Sequence, residues 1–227
     1  MTDHPLDDPI WSSLSTEHAH FCEGNDLVRR YYADIGPLAA TRDSGDACLE
    51  ALRQSIETSG PVILTRRSGL KAPSGVHLMW DRPLVQMLFS GEVTPLDKSL
   101  KIEPLGGGDA EEMIALARLT KPGPFEARTH ALGQFWGVKL GGRVIAMAGE
   151  RMRQAGFSEI SAVCTHPDHT GKGLGRALTT HMCRVIVARG EAPYLHAFED
   201  NHSAIRLYEK LGFRLRAKLR VMALEAL

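Results

Sequence analysis

The sequence predicts a mixed α/β layer fold: a central mixed sheet flanked by helices, with a smaller α+β unit at its N-terminal end. Three observations carry this expectation. From residue 101 onward, hydrophobic periods of two and of about 3.6 follow one another in the order β-α-β-β-β-α-β-α-β. The pair Gly141-Gly142 between two extended segments supplies the positive φ of a hairpin turn. The length, 227 residues, exceeds one minimal domain and falls short of two full ones, so the chain divides into units at 1–95 and 96–227.

In the first unit, residues 46–57 carry apolar side chains at helical spacing, and 61–65 read as a short buried strand. Residues 76–80 and 84–89 read as two strands separated by a turn at Asp81-Arg82-Pro83. A linker is expected at 90–99, where Gly91, Pro95 and several charges cluster. In the second unit a short strand at 101–105 leads through Gly106-Gly107-Gly108 to Asp109 and Glu112, a capping-box spacing that opens a helix to about Leu119. Strands follow at 134–140, 143–150 and 159–165. A helix at 173–189 has Leu174, Ala177, Leu178, Met182, Val185 and Ile186 on one stripe and Gly190 as its stop. A strand at 194–198, a helix at 201–211 ended by Gly212, and an extended tail to Leu224 complete the order. Helix, glycine, proline and strand recur at 56–64 and 189–195. The echo is either a worn copy of half of the second unit or an ordinary αβ connection.

The composition removes several function classes. With 43% hydrophobic and 24% charged residues and a net charge of zero, the chain is neither disordered nor an electrostatic binder of nucleic acid. No apolar run approaches the ~20 residues of a membrane span. The N-terminus is acidic where a secretion signal would be basic, so a cytoplasmic location is expected. Cys22, Cys48, Cys164 and Cys183 lie far apart without a CxxC pair, which implies free thiols and no structural metal.

The chemistry concentrates at Thr170-Gly171-Lys172-Gly173-Leu174-Gly175-Arg176, between the end of a strand and the start of a helix. Unpaired N–H groups and the helix dipole make such a turn an anion site, to which Lys172 and Arg176 add charge. The bland alternative is a flexible connector. A Walker loop is excluded because Gly171-Lys172 is followed by Gly173, and a dinucleotide fingerprint because Arg176 stands where glycine is needed.

The segment from Val163, Cys164 and Thr165 through this turn to Leu178 resembles the acyl-CoA signature of the GNAT acetyltransferase superfamily. Residues 201–213, from Asn201 through Tyr208 to Phe213, resemble the same family's second signature. The surroundings of Glu159 are similar to a subgroup related to glycine N-acyltransferases. Thr170 departs from the Gln or Arg usual at its place, which leaves main-chain donors at Gly171, Gly173 and Gly175. The resemblance implies acetyl-CoA as acyl donor, held along Val163, Cys164 and Thr165, with the main chain of Val163 and Thr165 pairing with its arm, and by residues 170–176, Asn201 and Tyr208. Asn201 equally suits a plain helix cap.

An amine attacks a thioester as its free base, so a proton must leave the amine and another must reach the departing thiolate. Glu159 is the candidate base, directly or through water, against a solvated glutamate at a strand edge. Alternation places it with Ser161 and Val163 and opposite Cys164 unless a bulge intervenes. Tyr208 is the candidate acid for the thiolate, against plain core packing. Cys164 reads as a buried thiol without an activating base, and His166 and His169 lack a third metal ligand. Phe125 and Arg128 stand in the expected acceptor-side loop, or in a structural one.

Direct transfer of an acetyl group to a primary amine, on a small molecule or a peptide, is therefore expected of a monomer or homodimer. A non-catalytic acyl-CoA sensor and a nucleotide-phosphate binder are the rivals.

Overall fold

The computed structural model describes residues 4–93, 95 and 100–227; residues 94 and 96–99 of the expected linker lie outside them. The chain opens with helix α1 (Pro9–Ser15), started by the Asp8 cap and a proline in its first turn. Strands β1 (Cys22–Gly24), β2 (Val28–Tyr31) and β3 (Leu38–Thr41) follow. Helix α2 (Asp46–Ser59) buries Cys48, Leu52 and Ile56 and ends at Gly60, whose φ of 87° stops it. Strand β4 (Val62–Arg66) then leads to β5 (Val76–Phe89).

The second half runs β6 (Glu103–Leu105), α3 (Ala110–Thr120), β7 (Phe135–Leu140), β8 (Arg143–Gln154), β9 (Phe157–Thr165), α4 (Leu174–Ala188), β10 (Ala192–Phe198), α5 (His202–Lys210) and β11 (Phe213–Ala226). Among the described residues these strands form one 11-stranded sheet, ordered β1-β2-β3-β4-β11-β5-β10-β9-β8-β7-β6. The fold is the mixed α/β layer expected.

Two local expectations are corrected. The turn at Asp81-Arg82-Pro83 is absent, because β5 runs unbroken from Val76 to Phe89. Pro83 O accepts from Glu199 N, so the missing proline N–H faces the same side, just past Leu84↔Phe198 where pairing with β10 ends. The one ladder bond a proline cannot make thus falls at the end of that ladder, where its loss does not break the strand. The Asp109–Glu112 capping box is also absent. The Asp109 carboxylate instead accepts from Gly106 N at 3.1 Å and from Lys139 Nζ at 2.6 Å, drawing the glycine stretch into a 3-10 turn ahead of α3.

The two segments of the short sequence echo stand in similar surroundings in the sheet. β3 and β4 are parallel and joined by α2, just as β9 and β10 are parallel and joined by α4. Antiparallel β1-β2-β3 has its counterpart in β7-β8-β9. The two central strands are exchanged, since β4 lies against β11 and β10 against β5. Thus the N-terminal elements are not packed beside a separate sheet. The sheet is continuous across the expected 95/96 boundary.

Two clusters cover one face. One gathers Leu174, Leu178, Met182 and Ile186 of α4 over Ile160, Leu195 and Val85, and the other gathers Leu52 and Ile56 of α2 over Val62, Leu64 and Met222. Clusters under α3, with Met113 and Leu116, and under α1, with Ile10 and Leu14, cover the two ends of the opposite face. Between those ends, Leu84, Leu219 and Val221 of the central strands meet Ile63, Trp80 and Phe198 with no helix over them.

Candidate active site

The parallel pairing of β9 with β10 ends at Glu159↔Tyr194, although β9 continues to Thr165 and β10 to Phe198. The strands diverge there, and the β9 main chain beyond Glu159 loses its partner on that edge. A cavity of about 500 Å³ opens at this gap. It is lined by residues 159–165, by the loop from Thr120 to Pro124, by Asn201 and Tyr208, and by Ile63, Trp80, Leu84, Phe198 and Val221 from the uncovered centre of the sheet. Both halves of the chain therefore build it.

The expected alternation along β9 is corrected by a bulge. Ala162 adopts a left-handed φ of 52°, and the register advances three residues on β9, from Ser161 to Cys164, for two on β8. Val163 consequently joins Ile160 in the cluster beneath α4, while Ala162 and Cys164 turn to the cluster under α3. Glu159, which alternates with Ile160, thus shares the Cys164 side of the strand and not the Val163 side.

Glu159 is fully buried. Arg151 Nε donates to Oε2 at 2.8 Å, Arg151 Nη2 donates to Oε1 at 2.5 Å, and His196 Nδ1 lies 2.7 Å from Oε1. Burial alone would raise the carboxyl's pKa; the Arg151 charge and its hydrogen bonds, with His196, outweigh that and bring it down to about 2. A carboxylate offers about four acceptor positions. Three are filled, so Oε2 keeps one. The solvated strand-edge alternative for Glu159 is excluded, because its side chain is fully buried and ion-paired.

Tyr208 sits on α5, lines the cavity and packs edge-on against Phe213 at 5.9 Å. Burial pushes its phenol up to about 12, so it stays protonated. Asn201 caps α5 by accepting from Ala204 N at 3.2 Å, and it also lines the cavity. Burial pushes the Cys164 thiol up to about 11, against a nucleophilic role.

At the far end of β9, Gly171 and Gly173 have φ of 75° and 76°, and nothing lies within 4 Å of where their Cβ atoms would be. Their conformation, and not crowding inside the protein, calls for glycine, and the open space admits a ligand. Gly175 is different: its Cβ would meet Val163 Cγ1 at 3.9 Å, ordinary packing of α4 on β9. Ala177 N makes the first bond of α4, to Gly173 O, so the preceding N–H groups point out of the helix end. The Leu174 side chain is buried in the core, leaving its main chain for a ligand. The Thr170 hydroxyl donates to Pro167 O, and Lys172 Nζ lies 3.1 Å from His169 Nδ1, which holds the turn. Arg176 lies in the first turn of α4.

Phe125 and Arg128 do not reach the cavity. Phe125 packs edge-on against Phe135 at 5.7 Å, and Arg128 pairs with Asp34 at 3.0 Å, so this segment's share of the cavity lining comes from residues 120–124 just before them. Arg151 and His196 were missed by sequence reading. Each sits on a recognisable strand, but only the three-dimensional pairing brings them to Glu159.

The model of the FR47-like protein family matches residues 136–221. A GNAT-family protein of Novosphingobium aromaticivorans DSM 12444 is 40% identical, with the match covering 99% of this chain and 100% of that one at a TM-score of 0.92. The chain belongs to the GNAT acetyltransferase family. A GCN5-related N-acetyltransferase from Kribbella flavida, 17% identical over 96% of this chain and 93% of that one at a TM-score of 0.62, shares the fold. Mycothiol acetyltransferases of Streptomyces avermitilis and Streptosporangium roseum are 39% identical over 61 residues and 47% over 58, covering 26% and 25% of this chain. The chain spans about a fifth of the length of those curated relatives, 20% and 17%.

Proposed function

We propose that the protein is an N-acetyltransferase that moves an acetyl group from acetyl-CoA to a primary amine by direct attack. The observation that carries this reading is the loss of β9–β10 pairing beyond Glu159, which leaves a strand edge free to receive an extended ligand arm. Gly171, Gly173 and the N-terminus of α4 fit the diphosphate end of such a ligand, because the turn is open and its N–H groups face outward. Within the family we place the chain with the subgroup related to glycine N-acyltransferases, on the segment around Glu159.

When bound, acetyl-CoA supplies an activated thioester carbonyl. The main chain from Ser161 to Thr165 holds the arm that carries it. The free acceptor position on Glu159 Oε2 accepts an N–H of the incoming amine, or an O–H of a water that in turn accepts that N–H, and so aims the nitrogen lone pair. With its pKa near 2, Glu159 does not store the proton: it stabilises the positive charge on the attacking nitrogen, the N–H proton passes to the relaying water and on to solvent, and the C–S bond breaks to release CoA as the thiolate. Tyr208, protonated and on the cavity wall, donates its hydroxyl hydrogen bond to the sulfur as the thiolate departs.

The acceptor's body meets Ile63, Leu84 and Val221 with Trp80 and Phe198 beside them, so an amine on an apolar or aromatic frame fits this surface best. The test is CoA thiol release from acetyl-CoA with a panel of amines ranging from amino acids to arylalkylamines and short peptides. Turnover with at least one amine, fastest with apolar frames, is expected. Acetyl-CoA binding without release in any member would leave a sensor and remove the enzyme.

A further inference from the structure

The Glu159 carboxylate is aimed by a chain of hydrogen bonds that reaches across the sheet into the N-terminal half. Gln86 of β5 is fully buried, and the Arg216 side chain of β11 is 13% exposed. Arg216 Nη2 binds Asp7 Oδ1 at 2.7 Å, and its Nη1 donates to Gln86 Oε1 at 2.8 Å. A guanidinium only donates, so the Gln86 oxygen must face it. The Gln86 NH2 group then has two hydrogens and two acceptors, Leu6 O at 2.9 Å and His196 Nε2 at 3.0 Å.

It follows that His196 Nε2 accepts and carries no proton, because a proton there would put two donors face to face. The ring proton therefore sits on Nδ1 and is donated to Glu159 Oε1. That bond, with the two from Arg151, leaves one open acceptor position, on Oε2 of a residue that lines the cavity.

We propose that Gln86 and Arg216 are positioning residues which fix the tautomer of His196 and, through it, the orientation of Glu159. The proposal excludes His196 as the base, since its one lone pair is committed to Gln86. It also gives the N-terminal half a part in the site, because Gln86, Leu6 and Asp7 all come from the first 95 residues while Glu159 and His196 come from the rest. Only the kinetic consequence rests on the acetyl-transfer reading; the proton position does not.

The test is the long-range nitrogen–proton correlation spectrum of the His196 ring, recorded without acetyl-CoA or amine. In the wild-type protein the proton is expected on Nδ1 alone. Gln86→Glu keeps the size and the bond to Arg216 but replaces the NH2 donor by an acceptor, so a proton is expected to appear on Nε2. Turnover in that variant should fall about 10- to 100-fold, the range of one hydrogen bond to a charged group, at an unchanged KM for acetyl-CoA. Arg216→Met frees the amide to turn over, and both ring forms are expected. A wild-type proton on Nε2, or a Gln86→Glu ring identical to wild type, overturns the proposal. The wild-type spectrum decides it even if neither variant folds. An inactive protein with the proton on Nδ1 would instead refute the acetyl-transfer reading alone.

Discussion

Replacing Arg151 with methionine removes the cation that makes a fully buried carboxylate tolerable. In the folded protein Glu159 is brought from its ordinary 4.5 to about 2. That difference corresponds to roughly 3 kcal/mol of stability. Because the folded pKa is the lower one, this contribution is fully present above about 4.5 and is lost as the pH falls through about 2. In Arg151→Met only His196 remains beside the carboxylate, and burial pushes its pKa upward. Breaking a buried pair from one side costs about 3–5 kcal/mol at neutral pH, or about 6–20 °C in Tm for a chain of this size. Chemical denaturation at pH 7 of wild type, Arg151→Met and the double variant Arg151→Met/Glu159→Gln measures it. The double variant should recover much of the loss, since its uncharged amide needs no buried cation. A single-variant loss below about 1 kcal/mol, at the level of surface ion pairs, would refute the claim that this pair is desolvated.

Three further outcomes are expected. Tyr208→Phe keeps the edge-on contact with Phe213 but removes the hydroxyl, so turnover should drop about 100-fold with acetyl-CoA affinity nearly unchanged, as steady-state kinetics and calorimetry would show. Gly173→Glu combines a strained φ of 76° with negative charge at the helix N-terminus, and calorimetric titration should detect no acetyl-CoA binding. Ala162→Gly relieves a left-handed φ of 52° and should raise stability by up to about 1 kcal/mol in denaturant titration, whereas the β-branched Ala162→Val should lower it.

The second half of the fold was legible because its signals are local. Gly141-Gly142, the α4 stripe ending at Gly190, and the glycine turn at 170–176 each state their structure within a few residues. The first half was read only in part. Strands β1 to β3 are 3, 4 and 4 residues long, too short for periodicity to speak. Pro83 misled because a proline's effect in a strand depends on which neighbour its nitrogen faces, and that is settled by β10, more than a hundred residues later. The glycine turn proposed to hold the phosphates follows the same division: turn and helix start are contiguous in sequence, and both stand where the sequence places them. The centre of the site was not. Arg151, Glu159, His196 and Gln86 lie on four strands, and the Ala162 bulge, which no residue type announces, decides which β9 residues share a face with Glu159.

The account stands on acetyl-CoA lying along the unpaired edge of β9 with its phosphates at the start of α4. Amide hydrogen exchange with and without acetyl-CoA tests that placement most directly. Slower exchange confined to residues 161–165 and 171–176 is the expected result. Unchanged exchange there, or protection centred on another part of the sheet, would contradict it.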